Sequence, residues 1–160
     1  MEAWAGFFAA QVGASATLAG LLFVGVSLNL TKILASTRLP DRAFEALILL
    51  VAILIIASLM IIPAQPQTLI GLEILIPGLF LWIVITRIDL RILRETDDQY
   101  QRQFLSNMIL TQLASLPYPI AGAAVLIIGT NGLYVLPVAV LFSFSKAILD
   151  AWVLLIEINR

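Results

Sequence analysis

Lys146 and Asp150 stand four residues apart in an otherwise apolar stretch of chain. On a helix that spacing places both on one face, within reach of an ion pair. A lone charge at the centre of a bilayer costs about 2.5–3.5 kcal/mol on insertion scales, so pairing is expected. Two chemistries follow. The pair, with the Ser143 and Ser145 hydroxyls nearby, lines an ion or proton path, or it locks its helix to a neighbour. Snorkelling of Lys146 toward lipid phosphate is the variant of the second reading. Glu73 is followed four residues later by Pro77, which leaves the carbonyl of residue 73 without its usual donor. A carboxylate beside a free carbonyl is a cation site in outline, and an interfacial glutamate reaching water is the plainer reading. Leu116-Pro117-Tyr118-Pro119 interrupts another apolar run. Freed backbone groups there must be satisfied from within the protein, and Gln112 and Ser115 are the nearest donors. Pro77, Pro117 and Pro119 are therefore candidate hinges.

Other chemistry is thin. The chain has no histidine and no cysteine, which removes the usual general base near neutral pH, thiol nucleophiles and the commonest metal ligands. No nucleotide loop, metal-ligand cluster or nucleophile–base pair is present, so neither an enzyme nor a cofactor or metal is expected. A net charge of −1 offers no basic excess for nucleic acid.

The elements that must position these residues are membrane helices. Of the 160 residues, 61% are hydrophobic and 12% charged, against about 25% charged in ordinary soluble domains. A spanning helix needs about 20 mostly apolar residues. Five segments qualify, at about 4–30, 44–62, 68–90, 104–129 and 133–158, in one transmembrane domain. The first has no positive start and exceeds a signal peptide's apolar core, so it reads as a retained span. Pro63 to Gln67 and the Asn-Gly turn Thr130-Asn131-Gly132 form two of the connections.

Charge placement orients this all-α bundle. Lys32, Arg38 and Arg42 fall between the first two spans; Arg87, Arg91, Arg94 and Arg102 gather between the third and fourth; Arg160 closes the chain. The other two linkers carry no Lys or Arg. Basic linkers face the cytoplasm, which puts the N-terminus outside and the C-terminus inside, and only an odd number of crossings allows that. Trp4, Tyr134 and Trp152 fall near the expected interfaces, whereas Trp82 lies mid-span and is expected to pack between helices. The polar stretch from Arg87 to Arg102 reads as a solvated cytoplasmic cap with a turn near Asp97-Asp98. Glu45 and Asp89 are expected to pair with Arg42 and with Arg87 or Arg91.

The first span carries a pattern of its own. Gly6, Gly13, Gly20 and Ser27 recur every seven residues, with Ala10 and Thr17 at the alternate heptad position. A seven-residue period keeps one face toward a left-handed partner, and small residues let backbones approach closely in lipid. This face is a helix–helix interface, either within the chain or between subunits. Gln11 and Ser15 could add polar contacts.

The run Gly13-Ala14-Ser15-Ala16-Thr17-Leu18-Ala19-Gly20-Leu21-Leu22-Phe23-Val24, continuing to Ser27-Leu28-Asn29-Leu30, together with Leu39-Pro40 and Ala151-Trp152-Val153-Leu154-Leu155-Ile156-Glu157, resembles a family of small bacterial membrane proteins labelled modulators of FtsH protease. The resemblance implies a multi-pass protein of the bacterial inner membrane and a membrane protease as one partner. It assigns no role to Lys146 or Asp150, which depart from the family pattern. The expectation is a non-enzymatic protein that acts by helix–helix association, as a scaffold or regulatory subunit in the bilayer. The alternative is a small homo-oligomeric ion channel or permeation protein.

Overall fold

A computed structural model describes residues 2–95 and 101–158. Every regular element among them is helical: α1 (Glu2–Leu28), α2 (Leu30–Leu34), α3 (Leu39–Met60), α4 (Gln67–Glu95), α5 (Gln101–Ser115), α6 (Pro117–Ile128), a 3₁₀ segment (Gly129–Tyr134) and α7 (Val135–Ile158). The expected turn at Asp97-Asp98 lies outside the described residues. Four helical segments are long and apolar enough to cross a membrane: Trp4–Leu28, Leu39–Met60, Gln67–Arg94 and Phe104–Glu157. The last holds 54 residues and contains both the proline pair and the 3₁₀ segment.

Local sequence explains where the helices begin and end. Pro40 sits in the first turn of α3, where its missing N–H would have had no helical partner anyway. Asn29 separates α1 from α2, and its side-chain amide donates to the Gly25 carbonyl at 3.0 Å. Pro63 and Pro66 bound the turn after α3, where Ala64 takes a φ of 58°. Leu116 keeps helical angles, and its N–H still reaches the Gln112 carbonyl at 2.9 Å. The helical ladder between α5 and α6 is interrupted where Pro117 and Pro119 remove two donors. Pro77, by contrast, lies inside α4, which runs unbroken past it.

The chain divides into two compact units, Met1–Pro63 with Phe144–Arg160, and Ala64–Ser143. In the first unit α1 lies along α3. The α3 side chains Leu49, Ile53, Ile56 and Met60 are buried, as are Phe8 and Ser15 of α1.

In the second unit α4 and α6 pack backbone to backbone. A Cβ added to Gly71 would meet the Leu126 side chain at 2.5 Å; one on Gly122 would meet the Leu75 backbone at 2.5 Å; one on Gly78 would meet Tyr118 and Pro119 at 2.8–2.9 Å. As residue number rises along α4 it falls along α6, so the two helices run antiparallel. Glycine at these crossings admits the close approach that small residues provide between apolar helices. The chain reverses again after α6. Gly129 ends that helix with a φ of 75°, a conformation glycine adopts without steric cost. Gly132 serves a different purpose: its missing Cβ leaves room for the Ala124 and Val125 backbone at 2.4–2.9 Å. The expected Asn-Gly turn is therefore a 3₁₀ segment whose left-handed residue is Gly129, because Gly132 is held against α6.

Gly122→Ala tests the antiparallel contact. Its methyl would overlap backbone rather than a movable side-chain end, so the variant is expected to lose about 1–3 kcal/mol of stability. Reversible unfolding in mixed micelles measures the loss, and an unchanged midpoint would contradict the contact.

Candidate functional site

In the first unit the long α3 and α7 helices bring three ionisable side chains together. Lys146 and Asp150 are one helical turn apart on α7 and form a hydrogen-bonded ion pair. From α3, Glu45 brings a second carboxylate oxygen to 3.6 Å from Lys146 Nζ. The three side chains are only 2–3% exposed. The expected Lys146–Asp150 pairing is present. Glu45 was expected to meet Arg42, and the structure places it against Lys146, because it projects from the buried face of α3 beside Ala46 and Leu49. An ammonium shared by two carboxylates from two helices is a cross-brace. Its desolvation cost is large, and removing one member leaves the others uncompensated.

The second unit has its own polar centre at Gln112. Its side-chain oxygen accepts from Trp82 Nε1 at 2.8 Å, and its amide donates to Thr86 Oγ1 at 3.2 Å and Asp89 Oδ2 at 3.3 Å. One amide of α5 thereby meets three groups on successive turns of α4, and mid-span Trp82 does pack against a neighbouring helix. Asp89 accepts this bond from α5. Below the kink, Tyr118 Oη donates to Ser143 Oγ at 3.0 Å, and Ser143 Oγ donates to the Ala114 carbonyl at 2.9 Å. Gln112 and Ser115 were the expected donors to the broken stretch of helix. Gln112 is instead turned to α4, Ser115 bonds the Thr111 carbonyl at 2.9 Å, and Ser143 of α7 supplies the donor at Ala114. A hydroxyl 29 residues away was not legible from local spacing.

Glu73 accepts from Gln65 Nε2 at 2.7 Å, which ties the Pro63–Gln67 turn to α4. Gln67 Nε2 continues this anchoring by donating to the Val125 carbonyl at 3.0 Å. The structure thus brings Lys146, Asp150 and Glu45 into one cluster, Gln112 into another, and Glu73 into the turn. Among the described residues no group of three His, Cys, Asp or Glu side chains is placed to hold a metal ion.

The small-residue face of α1 is different in kind. Gly6, Ala10, Gly13, Thr17, Gly20 and Ser27 are all exposed. A Cβ added to Gly6, Gly13 or Gly20 would meet nothing within 4 Å. The side of α1 that is covered carries Phe8 and Ser15, roughly half a helical turn from the glycines. Ser15 Oγ turns back on the Gln11 carbonyl at 2.6 Å, and Thr17 Oγ1 on that of Gly13 at 2.8 Å. The glycines that make internal contacts were overlooked in the sequence. Gly71 and Gly78 also stand seven apart, the same signal that α1 carries.

The ionic cross-brace gives a direct test. Lys146→Met leaves two carboxylates buried together and is expected to cost about 3–5 kcal/mol. Glu45→Gln/Lys146→Met/Asp150→Asn removes all three charges and should recover most of that loss. Unfolding in mixed micelles measures both, and a triple variant no better than the single one would contradict the brace.

Comparison with protein-family models, characterised proteins and solved structures finds no match to this chain.

Proposed function

We propose that this chain is a five-span protein of the bacterial inner membrane that works by helix–helix association, as a scaffold or regulatory subunit of a membrane complex. The observation that carries this reading is the uncovered heptad of α1. Glycine inside a helix costs about 0.5–1 kcal/mol relative to alanine. At Gly71, Gly78, Gly122 and Gly132 a close neighbour accounts for it, whereas at Gly6, Gly13 and Gly20 no neighbour among the described residues does. A surface shaped for backbone approach calls for a partner equally small at each depth. A second copy of α1, related by an axis along the membrane normal, presents the same residue at the same level. Homo-oligomerisation through α1 is thus the occupant this face favours over a different membrane protein such as a protease.

The crossing count draws support from the 54-residue segment. At 1.5 Å per residue it is far longer than the roughly 30 Å hydrocarbon core, and the bonds Tyr118–Ser143 and Ser143–Ala114 bring residues 25 and 29 apart in sequence together, which supports a reversal of the chain within it. The basic linkers then lie inside and the N-terminus outside. Cysteines placed at Gln65 and Asp97 are expected to label from opposite sides of sealed vesicles; labelling from one side would refute the topology.

For association, Gly13→Leu is expected to weaken self-assembly by about 1–3 kcal/mol, read by energy transfer between labelled copies diluted in lipid vesicles. A chain that is monomeric at every dilution, or oligomers indifferent to Gly13→Leu, would sink the reading. The alternative, a small homo-oligomeric channel or permeation protein, draws on the charged cluster at Lys146, since intramembrane ionisable groups commonly mark ion paths. Ion flux through vesicles that disappears with Lys146→Ala or Glu73→Ala would favour it.

A further inference from the structure

The cytoplasmic end of α4 carries a row of cations that neither the ionic brace nor the α1 face uses. Arg87, Arg91 and Arg94 follow one another at helical spacings of four and three, and all three are exposed. With exposed Leu90 they line one shallow cleft of about 390 Å³. Asp89, the acidic residue between them, is fully buried on the other side of the helix, where Gln112 reaches it. Among the described residues neither Arg87 nor Arg94 has an ion-pair partner. The row thus presents positive charge outward along about 10 Å of helix axis.

Helix length sets the depth of this row. The apolar segment Gln67–Arg94 has 28 residues, about 42 Å at 1.5 Å per residue. The hydrocarbon core is about 30 Å thick, and about 40–45 Å with the headgroup layers. A helix that enters the core near Gln67 leaves it near Arg87. Its last turns, with all three arginines, then run through the layer where lipid phosphates lie. A guanidinium engages a phosphate with two parallel N–H donors and is always charged, and Leu90 offers an apolar contact to the glycerol end of an acyl chain.

We propose that Arg87, Arg91 and Arg94 form a binding site for the phosphate headgroup of an anionic phospholipid, seated in the cleft over Leu90. This rests on the reading of α4 as a membrane span and is independent of association through α1. A basic residue at an anionic surface contributes an attraction equivalent to about fivefold in affinity, so loss of all three predicts a drop of about a hundredfold.

The test uses the full chain in maltoside micelles with fluorescent short-chain phosphatidylglycerol, and the phosphatidylcholine analogue as reference. Phosphatidylglycerol is expected to bind more tightly. Arg87→Gln/Arg91→Gln/Arg94→Gln should lower its affinity about a hundredfold, and Arg87→Lys/Arg91→Lys/Arg94→Lys should retain most of it. If the triple glutamine variant does not fold, Arg94→Gln alone at the exposed helix end must still cost about fivefold. Equal binding of the two lipids, or a glutamine variant that binds like the parent, overturns the site. Displacement by inorganic phosphate beyond that caused by sodium chloride of equal ionic strength also overturns it, since the ligand would be free phosphate. Flotation separates the two readings. A chain that fails to float with phosphatidylcholine vesicles removes the membrane span and this site together. A chain that floats without preferring phosphatidylglycerol removes the site alone.

Discussion

An ammonium at position 146 can be carried on an apolar helix only if negative charge meets it, and here two carboxylates do, one from its own helix and one from α3. The same constraint governs the rest of the chain. A polar group buried among apolar helices without a partner costs several kcal/mol, so each one becomes an instruction about which helix must lie beside which. Lys146 joins α7 to α3. Gln112 joins α5 to three successive turns of α4. Ser143 receives a bond from Tyr118 and gives one to the Ala114 carbonyl, beside the stretch where two prolines have thinned the helical bonding. Few polar residues are available, and those few carry much of the pairing information.

Shape supplies the remainder. Hydrophobic burial gives little preference for one apolar neighbour over another when lipid is equally apolar. Packing therefore depends on how closely backbones can come. Gly71, Gly78 and Gly122 sit where α4 and α6 cross, and an added methyl at any of them would overlap its neighbour. These glycines also explain how Pro77 is tolerated. The α4 ladder loses one donor there, and the turn around it is held by α6 packed against Gly78. The α1 glycines share the seven-residue spacing of Gly71 and Gly78, and yet a Cβ added to Gly6, Gly13 or Gly20 would meet nothing among the described residues. The shared seven-residue spacing thus resolves into an internal contact in one helix and an exposed face in another.

The open face and the arginine row divide the outward surface into two kinds of recognition. The α1 heptad has no charge and no bulky side chain, so it suits a partner that matches its shape at every depth. The end of α4 has charge and little shape, so it suits a mobile anionic group. Neither competes with the interior, because Asp89 on the buried side of α4 is already engaged with Gln112 of α5.

By itself the sequence determined that the described chain is helical and apolar enough to cross a membrane, that prolines and glycines punctuate its helices, and that Lys146 and Asp150 pair. Each follows from near neighbours: hydropathy over a helix length, proline and glycine at boundaries, and a four-residue spacing on one face. Glu45 as the third member of the ionic cluster, Gln112 as the hub against Trp82, Thr86 and Asp89, and Ser143 as the donor at Ala114 were decided only by tertiary structure. Their partners lie 23–101 residues away, and residue type does not reveal which distant helix is adjacent. The α1 heptad shows the division most clearly. Its period announced an interface, but whether its own chain covers it depends on where α3 packs, and α3 packs on the side that carries Phe8 and Ser15.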